Sequence, residues 1–314
     1  MKLTLATILF TSALIACGGG GKKGPTTTGT GDTGGGDTAS TGDKGGGEVK
    51  PPEPPPPPDT GGFKLIIPAD LAYQPLNPEG PGPEMAVVYG DPTTGASAFF
   101  LRIPAGAKAG VHNHSADYQA VVVQGTHKHW LAGGAKKAKA LDVGSHWFQP
   151  GGQAHDDECA GKDPCILFIV SAGKFDMSLD PKAKAPKVGN YKMNLRKDAK
   201  WAPMDPSNAA GPKVAVVHGD PTAGPNTWLI EVPPGFSSGL HSHTANYHAV
   251  LLDAGAAHWL PHEKGEGEPL SPGSYWFQPG GYDHGDRCSS ETACHGIVFM
   301  EGALDFKPAA AAAK

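Results

Sequence analysis

The chain lacks most of the signatures that point directly to a chemistry. No nucleotide-binding glycine loop, nucleophile motif or cofactor fingerprint occurs in its 314 residues, so nucleotide-driven and covalent-nucleophile enzymes are not expected. There is no long run with a 3.6-residue apolar period, and extended amphipathic helices are therefore not expected either. Basic charge is not in excess: Lys and Arg total 26 against 31 Asp and Glu, a formal charge of −5, and nucleic acid is not an expected partner. The short basic stretch Lys136-Lys137-Ala138-Lys139 reads as a solvated hairpin tip. The apolar run from Leu3 to Ile15, interrupted by Thr and Ser, is too short for a comfortable membrane span.

What is present at the N-terminus is a targeting pattern. Lys2 supplies the positive end, and the apolar run closes on Leu14-Ile15-Ala16-Cys17. This resembles the lipobox of bacterial lipoproteins, in which the Cys is acylated and becomes the new N-terminus. By that resemblance residues 1–17 are a signal peptide, Cys17 is the lipidation site, and the membrane is reached through the lipid anchor only. Gly18, rather than Asp, follows Cys17, so the expected location is the cell envelope, at the outer membrane. Residues 18–62 carry much of the excess Gly (45 in all) and Pro (31 in all). The Gly/Thr/Asp/Ser stretch to Gly47 has almost no apolar residues, and Pro51 to Pro58 is nearly all proline. These predict a disordered tether ending in polyproline II, reaching on the order of 40 Å by random-coil scaling.

From Phe63 onward the sequence repeats. Gly106, His112-Asn113-His114 and Tyr118 return as Gly235, His241-Ser242-His243 and Tyr247. Gly144, Pro150-Gly151-Gly152 and His155 return as Gly273, Pro279-Gly280-Gly281 and His284. The offset is constant, since 241 − 112, 247 − 118 and 284 − 155 all equal 129. Val88 to Thr93, His129-Trp130 and Trp147-Phe148-Gln149-Pro150 recur at the same offset as Val217 to Thr222, His258-Trp259 and Trp276-Phe277-Gln278-Pro279, with no gap expected across the recognisable region. Two domains follow, 63–188 and 189–307, with a short tail at 308–314 whose alanines are helix-permissive but frayed. Short apolar runs such as Ala98 to Ile103, Tyr118 to Val123 and Cys165 to Val170 read as strands, several too apolar to be exposed on both faces. Gly-Asp-Pro, Pro-Ala-Gly and Pro-Gly-Gly mark closely spaced turns. The fold class is all-β, as barrel or sandwich.

The four cysteines beyond Cys17 fall as Cys-x5-Cys in each repeat: Cys159 and Cys165, Cys288 and Cys294. An even count in an exported chain favours one disulfide per repeat, each closing a short loop worth roughly 2 kcal/mol in the chain-entropy model. Thiolate ligation of a metal is the alternative.

The paired elements resemble the two signature motifs of cupins, G-x5-H-x-H-x3,4-E-x6-G and G-x5-P-x-G-x2-H-x3-N. The first repeat departs at two fixed positions, with Tyr118 for Glu and Cys159 for Asn. The second departs at Tyr247 and Cys288 and has Ala254 for the closing Gly. The aromatic after His-x-His and the Trp-Phe-Gln-Pro before the third His also resemble the cupin-like family DUF4437. The resemblance covers about 63–185 and 190–307. It implies two tandem cupin barrels of the double-stranded β-helix, or jelly-roll, type. It also implies metal ligands His112, His114 and His155 in one barrel and His241, His243 and His284 in the other.

Even spacing would aim His112, His114 and Tyr118 at one face of an uninterrupted strand. Three imidazoles leave positions open for water or substrate, and they suit a divalent transition metal such as Zn, Fe, Ni, Cu or Mn without choosing among them. Tyr118 and Tyr247 have three readings: phenolate ligand, hydrogen-bond partner of a bound ligand, or barrel filler. His129 and His258 are either supporting or acid–base groups of the pocket, or surface residues. Trp147 and Trp276 are read as packing, and Gln149 and Gln278 as reaching the pocket. The function implied is a metal-dependent oxygenase, decarboxylase or isomerase acting on small organic acids or phenols, with Tyr118, Tyr247, His129 and His258 as candidate catalytic groups. The alternative is a non-catalytic module binding a metal or small ligand. Loss of the usual Glu weighs against oxalate-type chemistry.

The anchor assignment predicts that Cys17→Ser moves the protein out of the membrane fraction of the producing cell. Unchanged partitioning on fractionation would remove the anchor from the account.

Overall fold

The computed structural model describes residues 62–179, 191–253 and 255–309. The leader, Cys17, nearly all of the tether, Ala254 and the tail beyond residue 309 lie outside the described residues. Among those described there is no α-helix, only short 3-10 turns between strands, and none is long and apolar enough to cross a membrane. The all-β expectation holds.

Each repeat supplies six strands of a seven-stranded antiparallel sheet, the seventh coming from the other repeat. In the first, the strands run Lys192–Asn194, His146–Gln149, Tyr118–Gln124, Cys165–Ser171, Ser97–Ile103, Glu84–Gly90 and Gln74–Pro75, in that spatial order. A smaller sheet of Ala140–Leu141, His127–Leu131 and His155–Cys159 completes the barrel. The second repeat reproduces this with Tyr247–Leu251, Cys294–Met300 and Asn226–Val232 at the centre of its large sheet and Ala256–Trp259 paired with Gly285–Cys288 in the small one. The lysine-rich tip lies beyond Leu131, in a turn over Ala135–Lys137 with no buried residue.

The central strands are apolar on both faces because both faces are covered. Ala98, Phe100, Val121, Val123 and Phe168 share one core with Ala215, Leu229, Val250, Tyr275, Ile297 and Phe299 of the other repeat. The alternate residues Phe99, Ile103, Ala120, Val122, Leu167 and Ile169 turn inward to the first barrel's own core. Trp228, Ala249, Leu251 and Val298 do the same in the second. The period-2 geometry of a strand thus sends one set of side chains to the contact between barrels and the other to the barrel interior.

The barrels also exchange a strand. Lys64–Ile66, which leads the first repeat, pairs with Tyr275–Gln278 of the second barrel. Lys192–Asn194, which leads the second repeat, pairs with His146–Gln149 of the first. These leading strands are offset by 192 − 64 = 128 rather than 129. The gap-free alignment therefore starts only at Glu84 and Lys213, and the turn before them is one residue longer in the second repeat (204–212 against 76–83). An aromatic at the head of each exchanged strand reaches a buried histidine of the other barrel. Phe63 stacks on His258 with ring centroids 5.3 Å apart, and Tyr191 stacks on His129 at 5.7 Å.

Both Cys-x5-Cys pairs are closed as disulfides, Cys159–Cys165 and Cys288–Cys294, which leaves no cysteine thiolate among the described residues to bind a metal. Each joins the end of the strand that begins at the third histidine (His155) or directly after it (His284) to the start of the next.

Phe168 is fully buried where the two repeats meet, 5.1 Å from Phe100 and 5.5 Å from both Tyr275 and Phe299 by ring centroid. Phe168→Ala should cost about 3–5 kcal/mol of unfolding free energy and lower the denaturant midpoint of both repeats together. A loss confined to one of two separate transitions would show that the barrels fold independently of their contact.

Candidate metal centres

The first and third histidines of each motif are brought together by backbone pairing. His112 and His155 form an antiparallel bridge, with the His112 N–H donating to the His155 carbonyl at 2.9 Å and the reverse bond at 2.8 Å. His241 and His284 repeat it with both bonds at 2.8 Å. Directly opposed residues share one face, so both rings enter the barrel. The Pro-Gly-Gly turn closes onto the loop after the second histidine. The Gly152 N–H donates to the His114 carbonyl at 2.7 Å and the Gly281 N–H to that of His243 at 2.8 Å. The first glycine of each turn leaves no room for a side chain: a Cβ on Gly151 would lie 2.4 Å from the Ser115 carbonyl oxygen, and on Gly280 2.2 Å from that of Thr244.

The strand bearing His112 does not continue to Tyr118. A bend at Ser115 and Ala116 separates them, and a new strand starts at Tyr118. The expectation of one uninterrupted strand is corrected on this point. Tyr118 nevertheless reaches the cluster from its own strand.

All six ring orientations are fixed in one way. Nδ1 of His112 faces the Gly110 carbonyl at 2.8 Å, Nδ1 of His114 the Asp176 carbonyl at 2.5 Å, and Nδ1 of His155 the Gln153 carbonyl at 2.9 Å. In the second barrel Nδ1 of His241 faces Gly239 at 3.1 Å and Nδ1 of His284 faces Tyr282 at 3.2 Å, while Nδ1 of His243 contacts the Asp305 carbonyl. A carbonyl only accepts, so each Nδ1 carries the proton and each Nε2 presents a lone pair. Within each triad the ligand atoms lie within 4.8 Å of one another. Three buried lone pairs directed at one point repel each other unless a cation lies between them, and this is how a neutral-imidazole metal site is built. The residues present therefore fit a divalent metal ion.

Burial favours the neutral form of His114, His155, His243 and His284. It lowers His155 to about 3 against the pull of Asp157, His284 to about 3 against that of Asp286, and His114 to about 4, with the neighbouring His112 adding to the last. His243 is lowered by burial as well.

The tyrosines stand at the third histidines. The Tyr118 hydroxyl lies 3.1 Å from Nε2 of His155, and that of Tyr247 lies 3.0 Å from Nε2 of His284. Burial, with Asp157 or Asp286 adding, raises both phenols well above their ordinary value, so they are neutral donors rather than phenolates. The Nε2 lone pair of His155 cannot serve both a metal and the hydroxyl. With the metal held there, the Tyr118 hydroxyl is left beside it to bond a water or ligand. Trp147 and Trp276 donate toward the same hydroxyls at 3.5 and 3.4 Å and pack flat on His129 and His258.

His129 and His258 are not surface residues; they are 1% and 3% exposed. Nδ1 of His129 lies 2.7 Å from Asp157 Oδ1, and Nε2 lies 3.0 Å from Gln149 Oε1. The amide nitrogen of Gln149 donates to the Gln153 carbonyl at 3.1 Å, so Oε1 is the acceptor facing His129. His258 repeats this between Asp286 Oδ1 at 2.8 Å and Gln278 Oε1 at 3.1 Å. Both nitrogens of each ring are thus engaged, and neither ring keeps a free nitrogen for substrate.

Asp157 and Asp286 were not among the residues singled out by sequence. The available signal was a carboxylate two residues after each third histidine, repeated at the offset of 129. Burial opposes ionisation of Asp157, but His129 and His127 hold its carboxyl well below the ordinary range, and His258 does the same for Asp286.

The interiors of the two barrels differ. In the first, Phe175 stacks on His114 at 4.2 Å and packs against Phe99 and Tyr118. In the second, a cavity of about 510 Å³ is lined by Trp228, Tyr247, Val298, Met300 and Phe306 and reaches His241, His243 and Asp286.

A family model described as a domain of unknown function, DUF4437, matches residues 73–178 and 192–314. Among solved structures, a Nostoc punctiforme PCC 73102 protein provisionally described as a dioxygenase is similar at a TM-score of 0.63 and 13% identity, covering 79% of this chain and 87% of that one. AerE from Microcystis aeruginosa is similar at a TM-score of 0.53 and 14% identity, covering 77% of this chain and 99% of that one. Lactobacillus farciminis oxalate decarboxylase gives 0.52 and 12%, with 78% of this chain and 88% of that one covered. At these identities the likeness is one of fold, and it bears out the cupin-type barrels. No curated protein matches the sequence.

The histidine shifts fix the acid response of the metal-free protein. Folded values of about 3 for His155 and His284 and about 4 for His114 lie below the ordinary value of about 6.5. The unfolded chain therefore binds more protons at low pH. Stability is fully present above about pH 6.5 and falls as pH drops toward 4 and then 3. Unfolding midpoints of chelator-treated protein between pH 7 and 4 test this, and a flat or rising trend on acidification would contradict it.

Proposed function

On the premise that the chain belongs to the DUF4437 family, we propose that it is a metal-binding bicupin of the cell envelope that takes a small, largely apolar organic molecule in its second barrel. The observation that supports metal binding is the uniform fixing of six Nδ1–H groups by backbone carbonyls, which turns three Nε2 lone pairs inward in each barrel. His112, His114 and His155 hold one divalent transition metal, and His241, His243 and His284 the other. Zn, Fe, Ni, Cu and Mn are all compatible with imidazole donors. The assignment of the organic ligand to the second barrel rests on its cavity, whose lining is mostly apolar and includes Trp228, Val298, Met300 and Phe306. The envelope location rests on the lipobox-like Leu14-Ile15-Ala16-Cys17, and the two disulfides fit an oxidising compartment.

When bound, the metal supplies Lewis acidity or oxygen activation to a small acid or phenol, which makes an oxygenase, decarboxylase or isomerase the enzymatic form of this reading. The chain's own contribution is narrow. Tyr247 offers a neutral hydroxyl beside the metal, and Gln278 and His258 are committed to each other and to Asp286. That commitment favours a second reading, binding without turnover, because His258 has no free nitrogen to carry a substrate proton.

Elemental analysis of the untagged mature protein should find about two metal ions per chain. His114→Ala should leave about one, and His114→Ala with His243→Ala none, because a two-imidazole remnant no longer encloses the ion. Metal retained by the double variant would place the ligands elsewhere. An oxygen-consumption and turnover screen on small acids and phenols then separates the two readings, since a redox-inert metal with no turnover means binding.

A further inference from the structure

Each barrel carries a carboxylate that none of the cupin signature positions provides. Asp157 lies two residues beyond His155 on the strand His155–Cys159, so both side chains leave the same face. Its two oxygens have separate surroundings. Oδ1 accepts from His129 at 2.7 Å and from His127 at 2.9 Å. Oδ2 is turned the other way, 3.6 Å from Nε2 of His112 and 3.9 Å from Nε2 of His155. Asp286 repeats the arrangement, with Oδ1 on His258 at 2.8 Å and Oδ2 3.8 Å from Nε2 of both His241 and His284.

These Oδ2 contacts are not hydrogen bonds. They exceed the usual donor–acceptor range of about 2.7–3.2 Å, and each of these rings already turns its Nδ1 to a backbone carbonyl. Two nitrogen lone pairs and a carboxylate oxygen therefore face one another in both barrels. That grouping is repulsive by itself and attractive around a cation. Donors about 2.0–2.2 Å from one metal ion lie roughly 3–3.6 Å apart, which the observed separations approach to within a few tenths of an ångström.

We propose that Asp157 and Asp286 are metal ligands through Oδ2, making each centre three-histidine, one-aspartate. The carboxylate lost where Tyr118 and Tyr247 stand is thereby supplied from the other motif. His129 and His258 are positioning residues: they hold Oδ1 at 2.7 and 2.8 Å and leave Oδ2 as the single oxygen for the metal. The second histidine-and-carboxylate grouping of the first barrel, His129 with His155 and Asp157, is not a separate site, because both nitrogens of His129 are already engaged. This inference rests on the metal-binding reading above.

The test is cobalt(II) titration of the full chain with chelator competition, comparing wild type, Asp157→Asn, Asp286→Asn and His129→Gln. Removing a partner behind a ligand costs about 10–100-fold in metal affinity, and His129→Gln should fall in that range with its cobalt absorption bands unmoved. Asp157→Asn and Asp286→Asn should each weaken one site by more than about 100-fold and shift its cobalt bands. Either Asn variant binding with wild-type affinity and spectrum, or losing no more than His129→Gln, overturns the assignment and leaves the histidine sites standing. A wild type that binds no cobalt overturns both readings. Metal-loaded minus metal-free infrared spectra of the wild type give a check that needs no variant. One carboxylate pair should shift for each ion bound, and an unshifted carboxylate region excludes the aspartates as ligands.

Discussion

A buried imidazole has two nitrogens to satisfy, and the arrangement of both barrels follows from how that is done six times. Each Nδ1–H is given to a main-chain carbonyl, and each of these carbonyls belongs to a segment placed by the fold. Gly110 and Gln153 lie two residues before the ring they hold, and Asp176 lies 62 residues beyond His114 on a chain that returns across the barrel mouth. Asp176 also accepts the Ser115 N–H through its carboxylate at 2.8 Å, as Asp305 accepts that of Thr244. The returning segment therefore fixes the second ligand, and the direct bridge between His112 and His155 fixes the other two. Given these constraints, the Nε2 lone pairs have nowhere to point but at one another.

Stability and site geometry are coupled through the contact between repeats. Their large sheets share a single apolar core, and the exchanged strands carry Phe63 and Tyr191 to the outer faces of His258 and His129. The histidine that holds Oδ1 of each aspartate is thus covered by a ring from the other repeat. A barrel separated from its partner would lose that cover along with half of the shared core. Duplication here yields one folded unit with two sites, not two independent domains joined by a linker.

The sequence showed the six histidines because their spacing is rigid: one residue between a pair on a strand, a Pro-Gly-Gly turn before the third, and an offset of 129 throughout. The apolar runs likewise signalled strands with at least one face covered. Other parts of the site left weaker marks. The Nδ1 acceptors are main-chain carbonyls, which any residue supplies. Asp157 sits in His-Asp-Asp-Glu, which resembles a solvated strand edge until the fold turns alternate residues inward. The exchanged strands, shifted to an offset of 128, fall outside the regular repeat, and their three-residue length leaves no periodicity to read. The bend between His114 and Tyr118 is carried by Ser115 and Ala116, residues equally at home in a strand or a turn.

The repeats have diverged where a ligand would be held. His127, which shares Asp157 with His129, has Ala256 at the equivalent position, so Asp286 Oδ1 has only one histidine donor. Phe175 fills the first barrel beside His114, whereas Leu304 stands at the equivalent position of the second and Phe306, half exposed, packs on His241 instead. The first barrel has thus traded space for a more heavily buttressed carboxylate, and the second keeps space at the cost of one donor. A tightly held aspartate under an aromatic plug suits an ion retained for structure. A less constrained aspartate beneath an apolar cavity suits an ion that must accept an exogenous molecule. The divergence, read residue by residue, falls on the surroundings of the two triads and not on the histidines themselves.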